Sequence, residues 1–405
     1  MTRPFTPSRS GSAPSPRSRR VFLRQLGLAA AGVALTPPLL QACGGGGGGG
    51  TGGQSEGGDG DGGGKNRELV ISNFPLYIDV DAPGAPGSVS RFQKDTGIQV
   101  RYVEDVNDVR QFFARIQPQL AAGRPLAQDL IVLTGWMAER LIRLGWMEPL
   151  PLAEVPNARN LVPSLRKPSW DPEQRFSLPW QSGIAGIAYN IKATGRELRG
   201  IDDLFDPALK GRVSALLEMR DTMGLLMLAD GQDITRPTWA AAQPSFDRLE
   251  QARKDGQIRR FTGNDYQTDL LAGNLAACIG WSGDVAQLSM EQPDLRFLVP
   301  DSGGVLWADV MLMPKGARHP QEVARWLNWV YEPVEAARIA AAVQYISPVE
   351  GVRVVLAKDP ATAPLANNPL MFPDAAMQKK LHVFGPLSDQ EEARWEERFA
   401  RITEG

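Results

Sequence analysis

The sequence predicts an α/β protein of two lobes with a cleft between them, preceded by an export leader and a flexible tether. Three observations carry this expectation. From residue 67 onward, apolar runs of strand length alternate with amphipathic helical segments, the pattern of a parallel sheet covered by helices. That body spans about 340 residues, more than one small core organises, so two lobes of ordinary domain size are expected. Ahead of it lie a basic, then apolar segment and a glycine tract, neither of which can build a core.

The leader comes first in the chain. Residues 1–42 hold six arginines and no acid, and continue into an apolar run from Leu26 to Leu40 broken by Pro37 and Pro38. This run is too short and too interrupted to cross about 30 Å of hydrocarbon, so it reads as a cleavable export signal. Within it, Ser18-Arg19-Arg20-Val21-Phe22-Leu23 resembles the twin-arginine export motif. The stretch Leu40-Gln41-Ala42-Cys43 resembles a lipoprotein cleavage site, with Cys43 as the acylated first residue of the mature chain. Residues 43–66 then form a lipidated, Gly-rich leash.

In the body, residues 68–74 read as a buried strand and 88–98 as a helix stopped by Gly97. Residues 99–105 form a strand, 109–123 an amphipathic helix, 129–136 a strand, and 137–146 a helix ended by Gly145. Segments 211–219, 240–256 and 275–288 repeat the alternation. In such a sheet, ligand sites lie beyond the carboxyl ends of the strands.

The chemistry available there is restricted. Removing the leader leaves 38 basic residues against 46 acidic ones, a poor balance for nucleic acid and a reasonable one for cations. His319 and His382 are the only histidines, and Cys278 in an apolar stretch is the only cysteine besides Cys43. That leaves no zinc spacing and no Cys–His dyad, and no G-x-S-x-G, P-loop or G-x-G-x-x-G motif is present. No catalytic residue, metal or cofactor is therefore expected; His319 is expected to be solvated and Cys278 to be core.

What the strand ends do carry is aromatics and acids: Phe74 and Tyr77, Thr134 and Trp136, Glu218 and Asp221, Trp281, and Trp307 with Asp309. Asp309 is the most informative. It falls inside an apolar strand with no basic residue before Lys315, and an unpaired carboxylate there costs several kcal/mol. Trp307, two residues earlier, points to the same face. An indole face and a carboxylate together suit an ammonium group. Glu218 and Asp221, three apart on a helical turn, share a face and suit a second cationic group. Two anionic ends joined by aromatic walls describe a receptor for an extended, multiply charged amine.

From Arg67 to about Ala366 the chain resembles the substrate-binding proteins of polyamine (spermidine/putrescine) ABC transporters. The resemblance rests on NFPLYID, RFQKDTGIQVRYVED, QDLIVLTGWMAERLIRLGWMEPL, SLPW, DLFDPALKGRV, GWSGDVAQL, GGVLWADVMLMPKGA and YISPVEG. It implies a type II periplasmic-binding-protein fold with crossing hinge strands. The implied division gives residues 67–180 and 307–365 to one lobe, and 181–306 and 366–405 to the other. The residues above would line the cleft, joined by Tyr345, and a monomer would deliver its amine to permease subunits from the outer face of the membrane. Pro75 and Phe74 depart from the family pattern and leave the length of the amine open. A receptor for another organic cation, an amino-acid derivative or an iron chelate, an exported sensor subunit, and a carboxylate-dependent enzyme are the alternatives. Iron is disfavoured because the six tyrosines include no adjacent pair.

Overall fold

The computed structural model describes residues 67–168 and 170–404. Arg19, Arg20, Cys43 and the glycine tether lie outside the described residues. In chain order the strands are β1 (Glu68–Asn73), β2 (Gln99–Glu104), β3 (Leu130–Thr134), β4 (Met147–Glu148), β5 (Ser177–Asn190) and β6 (Val213–Leu216). They continue with β7 (Ile258–Thr262), β8 (Ala277–Trp281), β9 (Leu295–Leu298), β10 (Gly304–Pro314) and β11 (Leu381–His382). The helices used below are α1 (Ser88–Thr96), α2 (Val109–Ala121), α3 (Gly135–Arg143), α4 (Met219–Ala229) and α5 (Trp239–Lys254). After them come α6 (Ser282–Ser289), α7 (Pro320–Val330), α8 (Pro333–Val343) and α9 (Asp389–Glu404).

One mixed sheet runs β2-β1-β3-β10-β5-β8-β6-β7. Its two wings are parallel: β1 pairs β2 and β3, while β6 pairs β7 and β8. Parallel pairs require crossovers, and the amphipathic helices supply them. The centre is antiparallel, with β10 between β3 and β5, and β5 between β10 and β8. β5 is buried along all but its last residue, as expected of a strand covered on both faces. The long strands β5 and β10 cross between the two α/β lobes.

Local chemistry fixes where the helices start and stop. Asp108 caps α2 by accepting the Gln111 N–H, and Val109, Phe112, Phe113, Ile116 and Leu120 then fall on one buried stripe. α1 stops at Gly97, whose φ of 71° suits a residue without Cβ. Around the β6–β8 wing, Leu216, Met223, Phe246 and Tyr266 form one core, to which α9 contributes Trp395 and Phe399. On the β1–β3 wing, Phe92, Leu130, Trp326 and Tyr331 form a second, and Phe112, Met137 and Leu141 a third. Each such side chain stabilises the fold by about 1.5–3 kcal/mol. Trp281 and Trp307 pack against the cores of both wings.

Two expectations need correction. The strand expected over residues 129–136 ends at Thr134, and Gly135 already opens α3, so Trp136 sits on a first helical turn. A Cβ at Gly135 would lie 2.7 Å from the Trp170 indole, so this sharp strand-to-helix junction depends on the missing side chain. His319 is not simply solvated: its Nδ1 lies 3.1 Å from both carboxylate oxygens of buried Asp129, just ahead of α7. Asp129 also accepts the backbone N–H groups of Val70, Arg318 and His319, which ties β1 to that loop. Cys278 is buried and free, and burial pushes its thiol pKa up, as suits a core residue.

Candidate binding site

Strand β10 places the central acid. Asp309 lies opposite Thr134 on β3 and Gln181 on β5, and the ladder with β5 shifts register between Asp309 and Val310. Alternation along the strand puts Trp307 and Asp309 on the same face. Asp309 is 4% exposed. Its Oδ2 accepts the Tyr77 hydroxyl at 2.9 Å, while Oδ1 is buried with no partner among the described residues. Burial raises its pKa to about 7, opposed by the Tyr77 hydrogen bond and reinforced by the charges of Glu218 and Asp284. Among the described residues no cation pairs with it.

Tyr77 is held by the turn that follows β1. Leu76 takes a φ of 56° and donates its N–H to Glu104, which fixes the turn that carries Tyr77. There its ring meets Phe74 at 5.8 Å and Tyr345 at 5.1 Å, both edge to face. Tyr345 in turn meets Trp307 at 5.4 Å, and Trp307 meets Trp281 at 6.5 Å. These rings form a continuous wall. Glycines make room for it: a Cβ at Gly183 would overlap the Trp307 ring, and one at Gly283 the Tyr345 ring.

The second acidic group opens α4. Glu218 caps the helix by accepting the Arg220 N–H, and Asp221 sits in its first turn. Each carboxylate also holds an indole in place. Trp281 Nε1 donates to Asp221 at 2.7 Å, and Trp136 Nε1 donates to Glu218 at 3.3 Å. Burial raises both pKa values; Glu218's charge pushes Asp221 further up, while Arg220 opposes the rise at Glu218.

All ten residues expected at the site line one cavity of about 370 Å³. Sequence reasoning missed several others. Asp284 accepts hydrogen bonds from Tyr266, Gln267 and Tyr345 at 2.7–2.8 Å and stands near pKa 6, raised by burial. Arg220 lies over the Trp136 ring and donates to Glu392, both side chains being buried. Trp170, Asn107 and Asn264 complete the rim, with the C-terminal stretch Val383 to Leu387. Asp284 was legible as the acid of GWSGDVAQL; the C-terminal stretch carries no local pattern that signals a site.

Chemically, the cavity offers π faces, unpaired carboxylate oxygen and few competing cations, an arrangement that attracts an organic cation. Unpartnered acceptors point the same way: Thr134 Oγ1 is buried without a hydrogen bond among the described residues, as is Asp309 Oδ1. No group of three or more His, Cys, Asp or Glu among the described residues could hold a metal ion.

Known proteins resemble this chain in both sequence and fold. It is 29% identical to the putrescine-binding periplasmic protein PotF of Escherichia coli over 342 residues, 78% of this chain and 86% of that protein. It is 23% identical to spermidine/putrescine-binding periplasmic protein 1 of Haemophilus influenzae, covering 73% of this chain and 79% of that one. The crystal structure of the substrate-binding protein PotD from Streptococcus pneumoniae superposes with a TM-score of 0.66 at 22% identity, covering 83% of this chain and 98% of that chain. The TpPotD lipoprotein of Treponema pallidum superposes with a TM-score of 0.68 at 18% identity, covering 84% and 100%. The architecture is thus the periplasmic-binding-protein fold, two α/β lobes with a ligand cleft and crossing hinge strands. Since residues 88–372 match the family described as bacterial extracellular solute-binding protein, the chain belongs to that family.

Proposed function

We propose that this protein captures a polyamine of the putrescine or spermidine type outside the cytoplasm and delivers it to the permease of an ABC transporter. The observation that carries the reading is Asp309: a buried carboxylate with one oxygen unpartnered and no paired cation among the described residues, and a wall of aromatic rings beside it. An ammonium supplies the missing donor and charge, and the ring faces of Trp307 and Trp281 flank the methylene chain. Relatives whose names state putrescine or spermidine binding support the same class of ligand. In this reading Phe74, Tyr77, Thr134, Trp136, Glu218, Asp221, Trp281, Trp307, Asp309 and Tyr345 form the ligand-binding cavity.

The lobes divide at residues 67–180 with 307–365 and 181–306 with 366–405, and they close on the amine as a hinge. Arg19 and Arg20 direct export, and Cys43 carries the lipid that holds the monomer at the membrane. Thermal-shift titration of residues 66–405 with putrescine and spermidine tests the central claim. Ligand that binds only the folded state raises the melting temperature by mass action. No shift with any amine at millimolar concentration overturns it. Cell fractionation of Cys43→Ala tests the anchor: the variant is expected to leave the membrane fraction, and retention there rules the anchor out.

A further inference from the structure

The cavity has two corners where an aromatic face lies near a carboxylate, and at one of them a side-chain cation covers the ring. At the Trp136 corner, the guanidinium carbon of Arg220 sits 4.1 Å from the centre of the indole ring. One Arg220 nitrogen donates to Glu392 at 2.7 Å, and Glu218, whose carboxylate takes the Trp136 N–H, also accepts the Arg220 backbone N–H at 3.3 Å. Arg220 is 9% exposed and Glu392 7%, so the pair is built in rather than draped over the rim. Arg143 approaches the same Glu392 at 4.0 Å and Asp389 at 2.5 Å, which holds α9 against α3. At the other corner Asp309 and Trp307 face the cavity with no basic side chain paired to either among the described residues.

We propose that Arg220 is a specificity-determining residue that stands in for one ammonium of the cargo. Its guanidinium fills the aromatic–carboxylate site at Trp136, so the cavity selects a monoamine or short diamine over a triamine or tetraamine. This deepens the polyamine reading and rests on it. The physical reason is direct. A guanidinium on the indole face blocks the face from a second cation, and its charge repels an ammonium entering beside it. Glu392 is already paired with the Arg220 guanidinium, and Glu218, which would draw a third amine, has that same positive charge near it, opposing the rise in its pKa that burial causes. A lysine could not cover the ring in the same way, since the planar guanidinium both stacks and forks.

Titration calorimetry of the full mature chain with butylamine, 1,4-diaminobutane and spermidine tests this. The wild type is expected to bind the diamine at least as tightly as the triamine. In the double variant Arg220→Gln/Glu392→Gln, which removes the arginine without orphaning its carboxylate, the diamine-to-triamine affinity ratio is expected to swing about tenfold toward the triamine. A swing under threefold, or one toward the diamine, overturns the inference. If the double variant does not fold, the wild-type series decides alone, and a wild-type preference for spermidine of tenfold or more overturns it while leaving the polyamine reading intact. Failure of every amine to bind overturns both.

Discussion

Asp284 and Asp309 line the same cavity, and each is 4% exposed. Asp284 receives three donors, from Tyr266, Gln267 and Tyr345, and both of its oxygens are engaged. Asp309 receives one, from Tyr77, and its Oδ1 has no partner among the described residues. Burial raises both pKa values, to about 6 at Asp284 and about 7 at Asp309. The difference separates a carboxylate whose oxygens are both taken up by the wall from one with an oxygen still unpartnered among the described residues. Satisfaction of its hydrogen bonds, and not burial, tells the two apart.

Substitution sharpens the contrast. Asp309→Asn keeps the shape and removes the charge, so amine affinity is expected to fall by about 2–5 kcal/mol, roughly 30- to several-thousand-fold. Without ligand the same variant is expected to melt no lower than wild type, because it removes a poorly compensated charge. Calorimetry of binding and of unfolding checks both halves; unchanged affinity ends the assignment of Asp309 to the site. Asp284→Ala is expected to behave the opposite way. It orphans three buried donors and lowers stability by about 3–5 kcal/mol, measured by denaturant unfolding, with weaker binding following from the displaced Tyr345 ring.

pH offers a gentler probe. Asp309 stands near 7 in the folded protein against an ordinary value of 3.8, so between these values the folded chain holds the extra proton. Stability of the ligand-free protein therefore declines as pH rises from about 4 to about 7, and the full cost of the buried charge is present above 7. Binding runs the other way. A cation takes the ionised form, so below pH 7 it must expel a proton, and affinity is expected to weaken about tenfold per pH unit. In Asp309→Asn this slope should flatten, and a slope that persists places the titrating group elsewhere. Tyr77→Phe has the smallest expected effect. It removes the one donor to Asp309, costs about 1 kcal/mol of affinity, and moves the pH midpoint upward.

The sequence made part of this legible for identifiable reasons. Alternation along β10 puts Trp307 and Asp309 on one face, and the lack of a basic neighbour marks the acid as unpaired. The strand–helix alternation likewise announces the parallel wings. Long-range partners leave no such trace. Tyr77 and Asp309 are 232 residues apart, and Arg220 and Glu392 are 172 apart. Nothing local in the C-terminal stretch marks Val383 to Leu387 as part of the cavity, because their placement depends on β11 pairing with β10. The β3–α3 boundary is hard to read for a similar reason: the space that Gly135 leaves is taken by the Trp170 ring, a partner no local pattern announces.

The central strands carry one more consequence. β5 pairs with β10 on one side and with β8 and β9 on the other, so one hydrogen-bonded sheet links β2 to β7, with register shifts at Asp309/Val310 and Val213/Ser214. Lobes joined in this way share their hydrogen bonds as well as a boundary. Opening the ladder in one frays the edge of the other, which couples their melting. A scanning calorimeter should record one cooperative transition for the body, with calorimetric and van't Hoff enthalpies in agreement. Cargo wedged between the lobes then raises the temperature of that single event, and the whole molecule, not a half of it, reports whether the receptor is loaded.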